Sequence, residues 1–209
     1  MRPSSGHWDT VFSTTKDTEL GWYEKDVSKT LKLLAKIPGW KRSTVFIAGA
    51  GTSLLIEELL SREMALVLND ISSKALARVK RRLKGKPGTV HCLCHDISQP
   101  IKDVIPDIGI WVDRAVLHFL TDKADILGYF KNVRALLKPG GYALFAEFSK
   151  TGAEKCAGLP VHRYSAEELS KRLGPSFRLV SQFDHVYINP YGEPKPYIYA
   201  LFKKLGRQK

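Results

Sequence analysis

Residues 44–53, with the sequence TVFIAGAGTS, constrain the fold of this chain more than any other stretch. Their apolar run is typical of a buried strand, and the glycines that follow predict a tight turn into a helix. A second apolar strand, residues 66–70 (LVLND), comes about twenty residues after the turn and ends in a carboxylate. Strand, turn, helix and strand in this order predict a unit of a parallel α/β sheet.

The glycine turn and the acid after the second strand together indicate a ligand. Gly49 and Gly51 allow the backbone to approach a ligand closely, and the following helix start offers free N–H groups. Asp70 can hold the hydroxyls of a ribose from the end of the second strand. It can also cap the next helix, but its place at a strand's carboxyl end favours the ribose. The pattern predicts an adenosine-containing cofactor.

The alternation of strand and helix continues through five units. Predicted strands cover residues 44–48, 65–69, 89–94, 108–112 and 142–147, and predicted helices cover 25–36, 53–62, a stretch from Ser72 or Ser73, and 122–137. After a predicted loop at 149–163, a capping box at Ser165 opens a short helix. Two β-rich runs, 177–188 and 196–202, then predict a closing hairpin.

The predicted fold class is α/β: a doubly wound, Rossmann-like seven-stranded sheet in three α/β/α layers with a C-terminal antiparallel hairpin. We expect one domain over residues 1–209, since no repeat or linker is visible. Within it, residues 1–40 are predicted to form an N-terminal lid and helix segment, and 41–148 the cofactor-binding core. Residues 149–209 are predicted to supply a substrate loop and the closing hairpin.

Composition limits the partners. Of the 209 residues, 44% are hydrophobic, and neither a membrane-spanning run nor a signal-like apolar start is visible, so we expect a cytoplasmic protein without a membrane partner. The net charge of +12 leaves a nucleic-acid partner open. The basic run at 74–86 lacks interleaved aromatic residues, which favours a solvated helix face instead.

The cluster at 91–95 (HCLCH) has no second half at zinc spacing, so no metal is predicted. The oligomeric state stays open.

This order of motifs resembles the class I S-adenosylmethionine-dependent methyltransferases. The GAG turn at 49–51, Asp70, the HDI at 95–97, the VDRA at 112–115 and the LKPGG at 137–141 carry the resemblance. It implies an enzyme of class EC 2.1.1 that uses S-adenosyl-L-methionine and releases S-adenosyl-L-homocysteine. The implied cofactor contacts are Trp22, Gly49, Ala50, Gly51, Asp70, Ile71, Asp96, Ile97 and Asp113.

A narrower likeness comes from residues 7–9 (HWD), 22–23 (WY), 113–119 (DRAVLHF) and 154–160 (EKCAGLP), which resemble small bacterial-type methyltransferases. The DR pair is similar to that of the thiopurine methyltransferase family, whose arginine lies beside the substrate under an aromatic N-terminal segment. The resemblance implies a role at the substrate for Arg114, and we expect Asp113 and His118 to complete the catalytic residues. Residues 113–117 also resemble the DKGTL phrase of some protein-lysine methyltransferases, with the lysine, glycine and threonine replaced.

Two residues depart from the general pattern. Ile47 stands where the strand-one acid is usual, and Ser53 replaces a third glycine. The first departure removes a partner for the methionine end of the cofactor. The second argues against a nicotinamide dehydrogenase, the other reading of an adenosine-cofactor site.

The residues favour methyl transfer to a small nucleophilic acceptor, a thiol or another chalcogen, because no histidine–carboxylate base pair is evident and a thiol needs no strong base. Asp113 is expected near the cofactor's amino group and Arg114 at the substrate, and a nitrogen acceptor would use Asp113 or His118 as its base. A protein-lysine methyltransferase and a non-catalytic RNA-associated protein with this fold are the alternatives.

Overall fold

The computed structural model describes residues 4–206. Residues 1–3 and 207–209, the ends of the predicted domain, lie outside this range. The helices are α1 (Ser5–Thr14), α2 (Ser28–Leu34), α3 (Leu55–Leu60), α4 (Ser73–Arg82), α5 (Lys123–Leu136) and α6 (Ala166–Leu173). The strands are β1 (Val45–Ala48), β2 (Leu66–Asp70), β3 (Val90–Cys94), β4 (Ile108–Arg114), β5 (Leu137–Phe148), β6 (Lys155–Cys156), β7 (Leu159–Pro160), β8 (Phe177–Ile188) and β9 (Pro194–Lys204). Short 3₁₀ turns cover Asp17–Glu19, Trp40–Arg42 and Leu117–Phe119.

Seven strands form one sheet in the order β3-β2-β1-β4-β5-β9-β8. The strands from β3 to β5 pair in parallel, and β9 and β8 add two antiparallel strands. This confirms the predicted fold class. The strand order reverses between β1 and β4, and ligands of such sheets bind beyond the carboxyl ends of the strands at this switch point.

Side-chain alternation along the strands divides the core into two layers. Val45 and Ile47 of β1 pack in the layer that includes α2, α3 and α4, whereas Phe46 and Ala48 pack in the layer of α5 and α6. All four are buried, and the Phe46 ring stacks on Trp111 of β4 with centroids 4.2 Å apart. Burial on both faces explains why these strands read as continuous apolar runs.

Helix α1 was not predicted. Its two buried residues, Trp8 and Phe12, lie one turn apart, and this stripe is too short to indicate a helix by spacing alone. The side chain of Ser4 caps the helix by accepting from His7 N at 3.3 Å.

Several predicted boundaries were wrong. Helix α2 begins at Ser28 rather than near 25, since the Asp26 carboxylate accepts from Ser28 N at 2.9 Å and ends the preceding turn. Strand β5 begins at Leu137, so the LKPGG phrase opens this strand with a register shift instead of preceding it. The small β6–β7 hairpin lies inside the predicted loop at 149–163. The capping box is present, with Ser165 Oγ accepting from Glu168 N.

Residues 5–24, which we call the lid, cross the carboxyl ends of the strands and are held by polar contacts. Asp9 accepts from Ser72 Oγ at 2.6 Å and from Lys74 N at 3.1 Å, at the start of α4. Arg78, one turn on, donates to Thr15 O at 2.9 Å and pairs with Asp17 at 2.8 Å. The lid is thus fixed to the helix that follows Asp70.

Over residues 4–206, every helix falls short of the length and apolar character that a membrane crossing requires. The same residues contain no cluster of three or more His, Cys, Asp or Glu side chains placed to hold a metal ion.

Candidate active site

A cleft with an empty volume of about 730 Å³, including its open mouth, lies beyond the carboxyl ends of β1, β2 and β4. It opens at the switch point of the sheet, where a ligand is expected. Its walls come from the lid, the glycine turn, the ends of β2 and β3, and the turn after β4. They are formed by Trp8, Phe12, Trp22, Gly49, Gly51, Asn69, Asp70, Ile71, His95, Asp96, Ile97, Arg114, Ala115, Val116, Phe119 and Leu120.

The glycine turn leaves bare backbone at the floor of the cleft. Gly49 and Gly51 have φ of 53° and 50°, the left-handed region that favours glycine. A Cβ on Gly49 would lie 2.1 Å from a methyl group of Val116, so this position accepts no side chain. Ala50 N donates to Asn69 O at 2.7 Å, which ties the turn to β2. The turn is a cradle for a ligand that lies against the main chain.

Asp70 lies in the cleft and is 5% exposed. Its Oδ2 accepts from Gly51 N at 2.7 Å and its Oδ1 from Ser72 N at 2.8 Å. Burial raises the pKa of Asp70 to about 6, although the two N–H groups favour its ionised form. Each carboxylate oxygen has lone pairs for a further hydrogen bond, so the side chain can still accept from two hydroxyl groups.

The β3 end supplies the other predicted contacts of the nucleoside. Ile71, Asp96 and Ile97 all line the cleft, so the structure brings them together with Asp70. The Asp96 carboxylate also accepts from Ser98 N at 2.9 Å, which fixes the turn after β3. His95 lines the same wall and was not predicted as a contact, because the HDI motif at 95–97 assigned the adenine to the acid and the apolar residue that follow it.

Aromatic side chains cover the cleft. Trp8 of α1 lies edge-on to Trp22 with ring centroids 5.6 Å apart and to Phe119 at 4.8 Å, and Phe12 lies 6.1 Å from Trp22. Trp8 and Phe12 are 9% and 4% exposed. The predicted contact at Trp22 therefore lies within an apolar roof over the cleft.

A second cleft, of about 550 Å³, lies on the other side of the glycine turn. Ala50 lines it, as do Tyr23 and residues 52–55, and it shares Trp22, Gly49, Gly51 and Arg114 with the first cleft. Glu24, which was not among the predicted site residues, pairs here with Arg114 at 2.8 Å from Nε to Oε2. Burial raises the pKa of Glu24, against the opposing effect of the Arg114 guanidinium.

Arg114 joins the lid to the end of β4. Its Nη1 donates to Trp22 O at 2.9 Å, and its guanidinium carbon lies 5.1 Å and 5.7 Å from the ring centroids of Tyr187 and Tyr197. Arg114 was predicted to lie beside a ligand, and its side chain lines both clefts.

Asp113 and His118 are placed differently from the sequence-based expectation: both are fully buried and neither lines either cleft. Asp113 accepts from Val116 N at 3.1 Å, Leu117 N at 3.2 Å and the Tyr129 hydroxyl at 2.6 Å. Burial and the neighbouring Glu147 carboxyl raise the pKa of Asp113 well above its usual range. The reason for the difference is that Tyr129 of α5 offers this acid a partner inside the protein.

His118 pairs with Glu147, with Nδ1 and Oε2 2.7 Å apart. Burial lowers the pKa of His118 to about 3, so the ring is neutral, and burial raises the pKa of Glu147 to about 8. His118 N also donates to Glu147 at 3.1 Å. This pair fixes the 3₁₀ turn at Leu117–Phe119 from behind the cleft wall.

Comparisons with known proteins agree with this geometry. Residues 46–143 match a family model described as a methyltransferase domain. This match covers just under half of the chain, and over it the chain is similar to methyltransferase domains. The match confirms the predicted family resemblance, the enzyme class EC 2.1.1 and S-adenosylmethionine as cofactor. A comparison with curated protein sequences gives no significant match.

Solved structures share the fold over nearly the whole chain. The N-methyltransferase NodS from Bradyrhizobium japonicum WM9, in complex with S-adenosyl-L-homocysteine, has a TM-score of 0.73 at 16% identity, over 97% of this chain and 99% of that one. The 1,6-didemethyltoxoflavin-N1-methyltransferase of Burkholderia thailandensis has 0.67 at 17%, over 96% and 84%. A structure concerned with conversion of a disulfide bond into a thioacetal group during echinomycin biosynthesis has 0.75 at 14%, over 98% and 93%.

The residues present fit the cofactor. The glycine cradle accepts no Cβ at Gly49, and the buried Asp70 carboxylate faces the same cleft. An apolar wall with an acid beside it, at Ile97 and Asp96, suits a purine ring with an exocyclic amine.

Proposed function

We propose that this chain transfers a methyl group from S-adenosylmethionine to a small acceptor that carries a thiol or another chalcogen. The observation that carries the proposal is the wall beside Arg114. It consists of Ala115, Val116, Phe119 and Leu120 under the tryptophans of the lid, and Arg114 is the one titratable side chain that the described residues place there. The titratable groups Asp70, His95 and Asp96 lie instead around the β2 and β3 ends.

Gly49, Gly51, Asp70, Asp96 and Ile97 are proposed to hold the nucleoside. The cofactor, when bound, supplies a methyl group on a positively charged sulfur, which makes that carbon an electrophile. The protein's contribution is then alignment of the acceptor and removal of water. Trp8 and Trp22 are proposed to perform the second task, because the buried ring of Trp8 and the half-buried ring of Trp22 cover the cleft from the lid side.

Within residues 4–206, the wall of Ala115, Val116, Phe119 and Leu120 carries no base, which favours an acceptor that needs none. The Glu24 carboxylate is already paired with Arg114 at 2.8 Å and lines the other cleft. A thiol has a pKa near 8.5, so a few per cent is thiolate at neutral pH without any base. An ammonium group must lose a proton before it attacks, and the apolar wall offers no group to take it. Two of the similar proteins are named as N-methyltransferases, and the third concerns conversion of a disulfide bond into a thioacetal group. The fold alone therefore does not determine whether the acceptor atom is nitrogen or sulfur.

Asp113 and His118 are proposed as positioning residues. The first holds Val116 N and Leu117 N, and the second is held with Glu147 behind the same turn. Both therefore shape the wall against which the acceptor lies, without touching it.

Methyl transfer to matched acceptors tests the proposal. Benzyl mercaptan and benzylamine have the same apolar body and differ in the nucleophile, and a lysine-containing peptide represents the protein-lysine alternative. With isotopically labelled S-adenosylmethionine we expect the thiol to exceed the amine in kcat/KM by at least about tenfold at pH 7.5. The value should rise with pH toward the thiol's own pKa. Equal transfer to the amine, or transfer to the peptide alone, would contradict the sulfur acceptor.

A further inference from the structure

The second cleft has a charge pattern that the nucleoside contacts leave unexplained. Glu24 and Arg114 are the two charged side chains that line it within the described part of the chain, and they carry opposite signs. Their side chains are 8% and 11% exposed and lie 2.8 Å apart. Burying such a pair costs free energy that its mutual attraction repays only when the remaining donors and acceptors are also bonded.

The pair is incompletely bonded. Arg114 Nη2 is buried and has no hydrogen-bond partner among residues 4–206. Glu24 accepts at Oε1 from the Tyr199 hydroxyl at 3.4 Å, and an ionised carboxylate has about four acceptor positions. One donor of Arg114 and several acceptor positions of Glu24 are therefore left over in a pair that lines a cleft of about 550 Å³.

The two clefts adjoin each other. They share Gly49, Gly51, Trp22 and Arg114, so the glycine turn lies between them. A ligand whose nucleoside lies against Asp70 extends across this turn toward Glu24. The far end of that ligand should carry one positive and one negative group if it is to complement the pair.

We propose that Glu24 and Arg114 form the binding site for the α-amino-acid end of the cofactor, with its ammonium at Glu24 and its carboxylate at Arg114. This inference rests on the proposed use of S-adenosylmethionine. It accounts for Ile47, which is buried where a strand-one acid is usual: the negative charge comes from the lid instead. The lid and the core then bind one end of the cofactor jointly.

Two nucleosides separate this site from the rest of the cleft. S-adenosylhomocysteine carries the amino-acid end, and 5′-methylthioadenosine lacks it. By isothermal titration we expect the wild-type protein to bind the first at least about tenfold more tightly than the second, as a charge-assisted hydrogen bond of 1.5–3 kcal/mol implies. Glu24→Gln should weaken S-adenosylhomocysteine by about 10- to 100-fold and leave 5′-methylthioadenosine within about threefold.

Two further variants keep the test decisive. Trp22→Leu removes apolar cover without touching either charge, and it should weaken both nucleosides alike. The double variant Glu24→Gln/Arg114→Gln leaves no unpaired buried charge, so it guards against loss of the fold in the single variant. It should bring the affinities for the two nucleosides to within about threefold of each other, which corresponds to less than 1 kcal/mol.

The failures are distinct. An unchanged affinity ratio in the folded double variant would overturn the amino-acid site and leave Arg114 to the acceptor. Equal affinity of the wild-type protein for both nucleosides would do the same. Binding of neither nucleoside by the wild-type protein would overturn the proposed function and this inference with it.

Discussion

Two strand ends of this molecule look alike in sequence and serve different purposes. Both β2 and β4 are buried apolar strands with an aspartate at or next to their last residue, and both aspartates accept from main-chain N–H groups just beyond. Asp70 keeps a face toward the cleft. The corresponding face of Asp113 instead accepts a hydrogen bond from the Tyr129 hydroxyl at 2.6 Å. A carboxylate that ends a strand is therefore a turn-forming group first, and what packs against its remaining lone pairs decides whether it binds a ligand.

The largest effect is expected from Asp70→Ala. The variant loses two charge-assisted hydrogen bonds to ribose hydroxyls, worth about 1.5–3 kcal/mol each, so affinity for S-adenosylhomocysteine should fall by about 100-fold or more. Isothermal titration measures this, with Asp103→Ala, an exposed acid outside both clefts, as the matched control. If the folded Asp70 variant kept its affinity for S-adenosylhomocysteine, the assignment of Asp70 to the ribose would be wrong. The two aspartates would then no longer differ in function.

Asp113→Ala should act on stability instead. It leaves Val116 N, Leu117 N and the Tyr129 hydroxyl without their acceptor, and a buried group left unsatisfied costs about 1–3 kcal/mol. We expect the free energy of unfolding in urea to fall by about 3 kcal/mol, while nucleoside affinity of the folded protein stays within about threefold. Asp113→Asn keeps an acceptor oxygen and should lose less. A stable variant that cannot bind the nucleoside would make Asp113 a ligand after all.

The pKa of Asp70 predicts a pH dependence of cofactor binding. Because its pKa is raised to about 6, the carboxylate takes up a proton as the pH falls through that value, and affinity for S-adenosylhomocysteine should drop by about tenfold between pH 7.5 and pH 5. The stability of the free protein changes in the opposite sense. The ionised form is disfavoured in the fold, so this group destabilises above its folded pKa and ceases to do so below its unfolded pKa near 3.8.

Titrations at several pH values, compared with Asp70→Asn, test this dependence. The asparagine variant should bind weakly and show a flat profile between pH 5 and pH 7.5. A wild-type profile that is flat as well would show that the carboxylate stays ionised throughout, as its two N–H donors favour.

The smallest effect is expected at Ala115, which lies in the cleft wall directly after β4 with φ of 69°. A left-handed backbone costs a residue with a Cβ about 1–2 kcal/mol, and glycine offsets part of this gain through its greater freedom in the unfolded chain. Ala115→Gly should therefore raise the free energy of unfolding by about 0.5–1 kcal/mol. Destabilisation would mean that the methyl group's packing outweighs the strain.

The sequence was sufficient for the parts of the fold that depend on local pattern. The buried runs at β1 and β2, the glycine turn and Asp70 all lie as expected, because apolar periodicity and left-handed glycines are encoded within a few residues. The β5 start and helix α1 were not predictable in the same way, since α1 has a stripe of two aromatic residues and is held in place by α4.

The candidate site was predictable only on its nucleoside side. Glu24 becomes visible as a site residue once the lid crosses the sheet and brings it to Arg114, ninety positions later in the chain. The basic run at 74–86 is a second example of a contact that local pattern does not reveal. It was predicted to be a solvated helix face, yet Arg78 and Arg82 form ion pairs with the lid, and Arg82 also pairs with Glu57. Contacts between distant segments have no signature in local spacing.

The anchoring of the lid gives the protein a sensitivity to its ionic environment. Asp17 is shared by two guanidinium groups, Arg78 at 2.8 Å and Arg82 at 3.4 Å, and all three side chains are roughly a quarter exposed. Dissolved salt screens such partly exposed charges, with a Debye length of about 8 Å at physiological strength and about 3 Å at 1 M. Exchange of a ligand beneath the lid should consequently accelerate in concentrated salt. Salt would then change how long the nucleoside stays bound and leave the contacts that recognise it unchanged.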